Sequence, residues 1–125
     1  MRLLLDTHVL LWWLADDPTL SPAARDPIGS RANVVAVSAA TAWEISIKHA
    51  LGKLVAPDDL EAQLDANNFQ GLPITLANAL AAGSLPRHHD DPFDRMLVAQ
   101  ARAGGFILVS RDPGLSRYDV ELLTP

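Results

Sequence analysis

Short apolar runs alternate with helical patterns along this chain, and this alternation constrains its fold more than any other feature. Most of the runs are apolar throughout, as expected for strands that are buried on both faces. Strands that alternate with helices predict a parallel sheet with helices packed on both sides. The predicted strands are Arg2–Asp6, Asn33–Ser38, Phe69–Thr75 and Phe106–Ser110, and Val120–Leu123 is compatible with a fifth.

The segments between the strands have the spacing and the capping residues of helices. We expect Thr7 to cap the first helix, and Pro27 and Gly29 to break the second. Pro73 indicates that the third strand lies at an edge of the sheet, because proline cannot donate a ladder hydrogen bond. The longer predicted helices are Thr41–Leu51, Pro57–Asn67, Leu76–Gly83 and Phe93–Ala103.

The length and composition fit one folded domain. With 125 residues, of which 49% are hydrophobic, the chain can bury a core without further cross-links. We therefore expect residues 1–125 to form a single α/β domain with a central parallel sheet of four to five strands. The absence of cysteine excludes disulfides, thiolate zinc sites and cysteine nucleophiles.

Hydropathy and charge restrict the function classes further. No segment has the length of a transmembrane helix, and Asp6 comes too early for a signal peptide, so we expect a cytoplasmic protein without a membrane partner. The net charge of −5 disfavours a simple nucleic-acid-binding module, which is usually basic. Arg87, Arg95 and Arg111 nevertheless lie near acidic residues in the sequence, so a local phosphate-binding rim remains open.

Four acidic residues occupy positions that a parallel sheet would bring together. Asp6 ends the first strand, Asp112 follows the fourth, Glu44 lies in the helix after the second, and Asp94 lies at a helix start. The carboxyl ends of parallel strands face a common crevice. Carboxylates gathered there repel one another unless a cation joins them, and Mg²⁺ and Mn²⁺ prefer oxygen ligands. The sequence therefore predicts a metal site.

Each of these acids also has a purely structural interpretation. Asp6 and Asp112 fit turn or capping positions, and Glu44 can form a surface ion pair with Lys48 four residues later. Asp91 fits the N-cap of the last long helix, which leaves Asp94 at a capping-box position. The functional argument therefore depends on the four acids as a set.

Several motifs together resemble one known family. The chain is similar to the PIN-domain family, and specifically to its VapC-type toxins, along its whole length. The most specific motif is Asp91-Pro92-Phe93-Asp94-Arg95 at the start of a helix. The others are Leu3-Leu4-Leu5-Asp6-Thr7-His8, Thr41-Ala42-Trp43-Glu44-Ile45 and Leu108-Val109-Ser110-Arg111-Asp112.

The resemblance implies a three-layer α/β/α fold and a Mg²⁺- or Mn²⁺-dependent endoribonuclease that acts on tRNA or rRNA. It also implies a small VapB-like antitoxin as a partner, and a homodimer. Carried over by position, Asp6, Glu44, Asp94 and Asp112 form the acidic quartet that binds metal and performs catalysis. Asp6 and Asp94 are then the main metal ligands, and Asp112 is the most variable member.

The resemblance suggests roles for other residues too. We expect Thr7, Arg95 and Arg111 to contact the substrate. Thr7 could also orient the Asp6 carboxylate, and the two arginines could instead neutralise the acids. An antitoxin helix could lie between Trp12, Trp13 and the helix of Trp43, and insert a basic side chain among the carboxylates. His88 and His89 are expected at the rim of the site or next to its ligands, rather than as ligands themselves.

Three other functions were weighed on the same residues. A catalytically silent PIN domain could act as a scaffold for a partner, although all four acids are present. A PIN-like nuclease could act on DNA, although such enzymes usually have longer chains. A phosphoacceptor receiver domain is disfavoured, because Thr7 follows Asp6 and the only lysines are Lys48 and Lys53.

Overall fold

Five parallel strands form the central sheet in the computed structural model, which describes all residues from Met1 to Pro125. Every neighbouring pair of strands is parallel, as predicted, and the fifth strand is present. The strands are β1 (Arg2–Leu5), β2 (Val34–Ser38), β3 (Gln70–Leu72), β4 (Ile107–Val109) and β5 (Leu122–Leu123), in the order β3-β2-β1-β4-β5. The third strand lies at an edge, as expected, but it ends at Leu72, because Pro73 has no N–H for the ladder, and not at Thr75.

Six α-helices connect the strands. Asp6, and not Thr7, is the N-cap of the first helix, since its Oδ1 accepts a hydrogen bond of 2.9 Å from the Val9 N–H. The second helix continues through Pro27, because a proline near the C-terminal end removes only one helical hydrogen bond. The helices are α1 (Thr7–Leu14), α2 (Pro22–Gly29), α3 (Ala39–Ala50), α4 (Leu60–Ala66), α5 (Leu76–Gly83) and α6 (Pro92–Gly104), followed by a 3₁₀ turn at Pro113–Arg117.

Alternate side chains of the central strand point to opposite faces of the sheet, and each face carries its own core. Leu3 and Leu5 belong to a cluster of 12 buried residues that includes residues of α1 and α2. Leu4 belongs to a second cluster of 12, on the side of α6. These two cores account for the three layers that the sequence predicted. No helix is long and apolar enough to cross a bilayer.

The strand order determines where a site can form. From β1 the chain proceeds outward through β2 to β3, and it then returns to place β4 on the other side of β1. The crevice outside the carboxyl ends of the strands at such a reversal is the usual binding position in α/β folds. Asp6 lies directly at this point, where its backbone N–H donates to the Val109 carbonyl at 3.1 Å.

Candidate active site

A polar cavity of about 380 Å³ lies at the carboxyl edge of the sheet, next to the ends of β1 and β4. All four predicted acids line it, although they come from widely separated parts of the sequence. Two further predicted residues, Thr7 and Arg111, line it as well. The complete lining consists of Asp6, Thr7, His8, Trp12, Glu44, Lys48, His89, Asp91, Asp94, Arg111, Asp112 and Pro113.

Burial makes two of the acids, Asp6 and Asp94, costly to ionise. Asp6 is 7% exposed, and its burial raises its pKa above the usual value, although a hydrogen bond with Ser110 opposes this shift. Burial raises the pKa of Asp94 to about 7, and the neighbouring Asp91 carboxylate adds to the effect. A cation placed between these carboxylates would offset both costs, because it favours the ionised forms.

Glu44 differs from these two acids, because each of its carboxylate oxygens accepts a hydrogen bond from a neighbouring side chain. The Thr7 hydroxyl donates to Oε1 and the Lys48 ammonium donates to Oε2, each at 2.5 Å. Glu44 is only 6% exposed, so the interpretation as a surface ion pair is wrong. Thr7 therefore positions Glu44 rather than the Asp6 carboxylate. The sequence spacing of Glu44 and Lys48 could not reveal this, since it is the same for buried and exposed pairs.

Asp112 forms a close pair with His89, so His89 contacts a proposed ligand, which is one of the two positions expected for it. His89 Nε2 lies 2.7 Å from Asp112 Oδ2 and 3.2 Å from Asp94 Oδ2. The hydrogen bond with Asp112 raises the pKa of His89, and the same bond lowers the pKa of Asp112. The potential ligand atoms of His89, Asp94 and Asp112 all lie within 4.8 Å of one another. No motif marks this role of His89, because its partners are 5 and 23 residues away in the sequence.

Arg95 is not among the residues that line the cavity, so its predicted contact with the substrate phosphate has no support from the geometry of the site. Its guanidinium instead holds the loop between α5 and α6, and it also donates to the Tyr118 hydroxyl at 3.4 Å. Carbonyl and hydroxyl oxygens of the protein therefore occupy both its Nη1 and its Nη2 groups, and Arg95 donates no hydrogen bond to the acids. The carbonyl oxygens that accept from it are those of Ala82, Gly83, Leu85, Pro86 and His89, at 2.9 to 3.4 Å.

Arg111 lies at the rim of the cavity, where the sequence predicted a phosphate contact. Its guanidinium carbon lies 5.1 Å from the centre of the Trp12 ring, and the rings of His8 and Trp12 stack with their centres 6.0 Å apart. Its Nη2 donates to the Thr19 carbonyl at 2.8 Å, which fixes the side chain beside the cavity. Arg111 therefore supplies a positive charge next to the carboxylates.

The donor set fits a divalent cation that prefers oxygen. Asp6 and Asp94 present carboxylates whose ionisation is unfavourable without a neighbouring positive charge, and Asp112 supplies a third. Such a set suits Mg²⁺ or Mn²⁺ and lacks the thiolates that favour softer metals. Asp91 lines the same cavity, but its Oδ1 accepts from the Phe93 N–H at 2.8 Å, which confirms its predicted role as a helix cap.

The fold and this acidic cavity are those of one protein class, and comparison with known proteins identifies it. The sequence profile of the PIN domain matches residues 3–121, so the chain belongs to the PIN domain family. Among curated relatives, Ribonuclease VapC22 of Mycobacterium tuberculosis is 34% identical over 118 residues, which cover 92% of this chain and 90% of the relative.

Similar solved structures agree with this assignment at the level of the fold. One is VapBC2 from Rickettsia felis bound to a DNA fragment from its promoter, with a TM-score of 0.73 and 15% identity, covering 99% of this chain and 98% of that one. Another is DNA-bound VapBC from Salmonella typhimurium, with a TM-score of 0.71 and 18% identity over 99% and 98% of the two chains.

Two substitutions of Asp6 should separate its role as a helix cap from its charge. Asparagine caps helices about as well as aspartate, whereas alanine cannot accept the Val9 hydrogen bond. We expect Asp6→Ala to be less stable than Asp6→Asn by about 1 kcal/mol in urea unfolding with EDTA present. Equal stability of the two variants would show that the Val9 hydrogen bond does not stabilise the folded protein.

Proposed function

We propose that this protein is a single-domain, Mg²⁺- or Mn²⁺-dependent endoribonuclease toxin that is neutralised by a cognate antitoxin. One observation carries the proposal: four acids from distant parts of the sequence line one polar cavity at the reversal point of the sheet. The 34% sequence identity to Ribonuclease VapC22 over almost the whole chain supports an RNA substrate, with tRNA or rRNA as the candidates.

Asp6 and Asp94 would hold the cation, and Glu44 and Asp112 would complete its surroundings or orient the attacking water. When bound, the cation supplies neutralisation of phosphate charge and a water acidic enough to act as nucleophile. Thr7 and Lys48 hold the Glu44 carboxylate in one orientation, through its two oxygens. Arg111 at the rim would attract the RNA backbone, despite the net charge of −5.

The antitoxin proposal is supported by the VapBC complexes among the structural neighbours, but the tryptophans expected to form its docking site do not lie together. Trp13 turns away from the cavity and donates to Asn67 Oδ1 at 3.0 Å, so the three tryptophans do not line one groove. A mainly apolar groove of about 640 Å³ lies between α3, α4 and β3 instead. We propose this groove for an apolar segment of the antitoxin, with a basic side chain reaching the acids.

Two further parts of the proposal concern assembly and location. Leu76 and Leu80 lie one helical turn apart on α5 and are 79% and 66% exposed, which supports a homodimer through this helix. A cytoplasmic location, where RNA and a small antitoxin are available, fits a chain without cysteine.

A cleavage assay tests the proposed activity. Purified, antitoxin-free protein is incubated with total tRNA and with a DNA oligonucleotide in Mn²⁺, with and without EDTA. We expect cleavage of RNA only, loss of cleavage with EDTA, and products with 5′-phosphate and 3′-hydroxyl ends, because water is the nucleophile.

The other outcomes would each contradict a different part of the proposal. Cyclic phosphate products would show attack by the 2′-hydroxyl of the RNA, which needs no metal-activated water. Cleavage of the DNA oligonucleotide would favour a DNA nuclease. If folded protein that binds Mn²⁺ cuts neither substrate, the catalytically silent scaffold becomes the better interpretation.

A further inference from the structure

We propose that His89 is a positioning residue for the acidic site, with its ring hydrogen fixed on Nε2, and that it is not a ligand of the cation. This inference rests on the proposed function, since it names a residue that prepares the same site for metal and RNA. It also opposes the simplest interpretation of the geometry, in which the close group of His89, Asp94 and Asp112 offers three ligands.

The backbone of Asp91 determines which ring nitrogen carries the hydrogen. The Asp91 N–H lies 3.1 Å from His89 Nδ1, and a backbone N–H can only donate. Nδ1 must therefore present its lone pair, and the hydrogen of the neutral ring lies on Nε2. Asp91 is itself fixed at the start of α6, because its carboxylate accepts from the N–H groups of Phe93 and Asp94.

This tautomer makes Nε2 a donor towards the two carboxylates that flank it. Asp112 Oδ2 at 2.7 Å and Asp94 Oδ2 at 3.2 Å are both within reach of that hydrogen. A protonated Nε2 has no lone pair for a metal. To ligate through Nε2, the ring would have to carry its hydrogen on Nδ1, where it would face the Asp91 N–H.

His89 also completes the fixation of Asp112. Asp112 Oδ1 accepts from the Gly114 N–H at 2.8 Å, so with His89 on Oδ2 both oxygens have a donor, as in Glu44. Gly114 leaves room for this arrangement, because a Cβ there would lie 3.3 Å from the His89 ring and 3.2 Å from Asp112 Oδ1. Without His89, the Asp112 carboxylate would keep one hydrogen bond and could rotate about it.

Two variants distinguish positioning from ligation. The amide nitrogen of glutamine can reach the place of Nε2 and donate there, whereas that of asparagine is too short to do so. We expect His89→Gln to retain most of the cleavage rate, and His89→Asn to lower kcat by roughly 10- to 100-fold with little change in KM. His88→Asn is the matched control, since His88 is exposed and outside the cavity, and it should cleave like the wild type.

Two spectroscopic measurements make the test independent of RNA cleavage. Nitrogen-15 NMR of the metal-free protein at pH 8 should show the His89 hydrogen on Nε2. Pulsed EPR of the Mn²⁺-bound protein should give the same imidazole nitrogen signal for the wild type and for His89→Gln, because His89 does not bind the metal. If the wild type binds Mn²⁺ but cuts no RNA, the proposed function fails, while the NMR result still decides the tautomer.

A neutral ring with its hydrogen on Nδ1, or a nitrogen coupling lost in His89→Gln, would each overturn the proposal. So would an asparagine variant that cleaves RNA as fast as the wild type.

Discussion

The Asp94→Asn variant is expected to lose RNA cleavage on the order of a thousandfold, because it removes a proposed metal ligand from the centre of the site. Asparagine has nearly the same shape and retains one oxygen, so the fold of α6 should be preserved. The initial rate of tRNA cleavage in Mn²⁺, beside the wild type, measures the effect. The exposed Asp90 in the same loop provides the control, and Asp90→Asn should cleave normally.

The same variant should be more stable than the metal-free wild type at high pH. The pKa of Asp94 is raised from 3.8 to about 7 in the folded protein, so ionisation of Asp94 disfavours the folded state. This destabilisation is absent below about pH 4, grows as the pH rises, and is complete above about pH 7, where it amounts to at most about 4 kcal/mol.

Urea unfolding in EDTA at pH 4 and pH 8 measures this difference. We expect the stability gain of Asp94→Asn at pH 8 to disappear near pH 4, and Mn²⁺ to stabilise the wild type more than the variant. A variant that is less stable than the wild type at pH 8 would contradict the argument, since it would mean that the ionised carboxylate stabilises the fold without metal.

The Arg95→Met variant should have the second large effect, on stability. Methionine preserves the apolar stem but removes every hydrogen bond from the guanidinium to the loop between α5 and α6. The carbonyls of the buried residues Ala82 and Leu85 would lose this donor, at a cost of about 3 kcal/mol in total. For a chain of this size, that corresponds to a melting temperature lower by roughly 10 °C.

Thermal unfolding followed by circular dichroism measures this change. Arg102 lies on the same helix, is exposed and is outside the acidic cavity, so Arg102→Met should unfold within a few degrees of the wild type. If Arg95→Met unfolds at the wild-type temperature but loses activity, its role would be at the substrate, as the sequence first suggested.

Sequence patterns predicted the sheet and its layers because burial on both faces requires continuous apolar runs. The run Leu3-Leu4-Leu5 serves both cores, and nothing but a central strand explains it. The positions of Asp6 and Asp112 at strand ends could be predicted because each follows one of these apolar runs. The ends of the shorter elements were less predictable. For example, α4 begins at Leu60 rather than at Pro57.

The partners of side chains could not be predicted where they depend on tertiary structure. Arg95 binds backbone carbonyls, which are present at every residue and therefore leave no pattern in the sequence. His89, just before α6, meets Asp112, just after β4, because α6 packs on the sheet beside β4 in the second core. The burial of Glu44 likewise depends on where α3 packs, and not on the spacing between Glu44 and Lys48.

The return of the chain to β1 also has a consequence for protein synthesis. Asp6 leaves the ribosome well before β4 and Asp112, which follow it by more than a hundred residues. Domains fold as units during translation, so the nascent chain has no complete acidic cavity while β4 is missing. If the four acids act together as proposed, a chain still being translated cannot cleave RNA, and an antitoxin would have to restrain only finished chains.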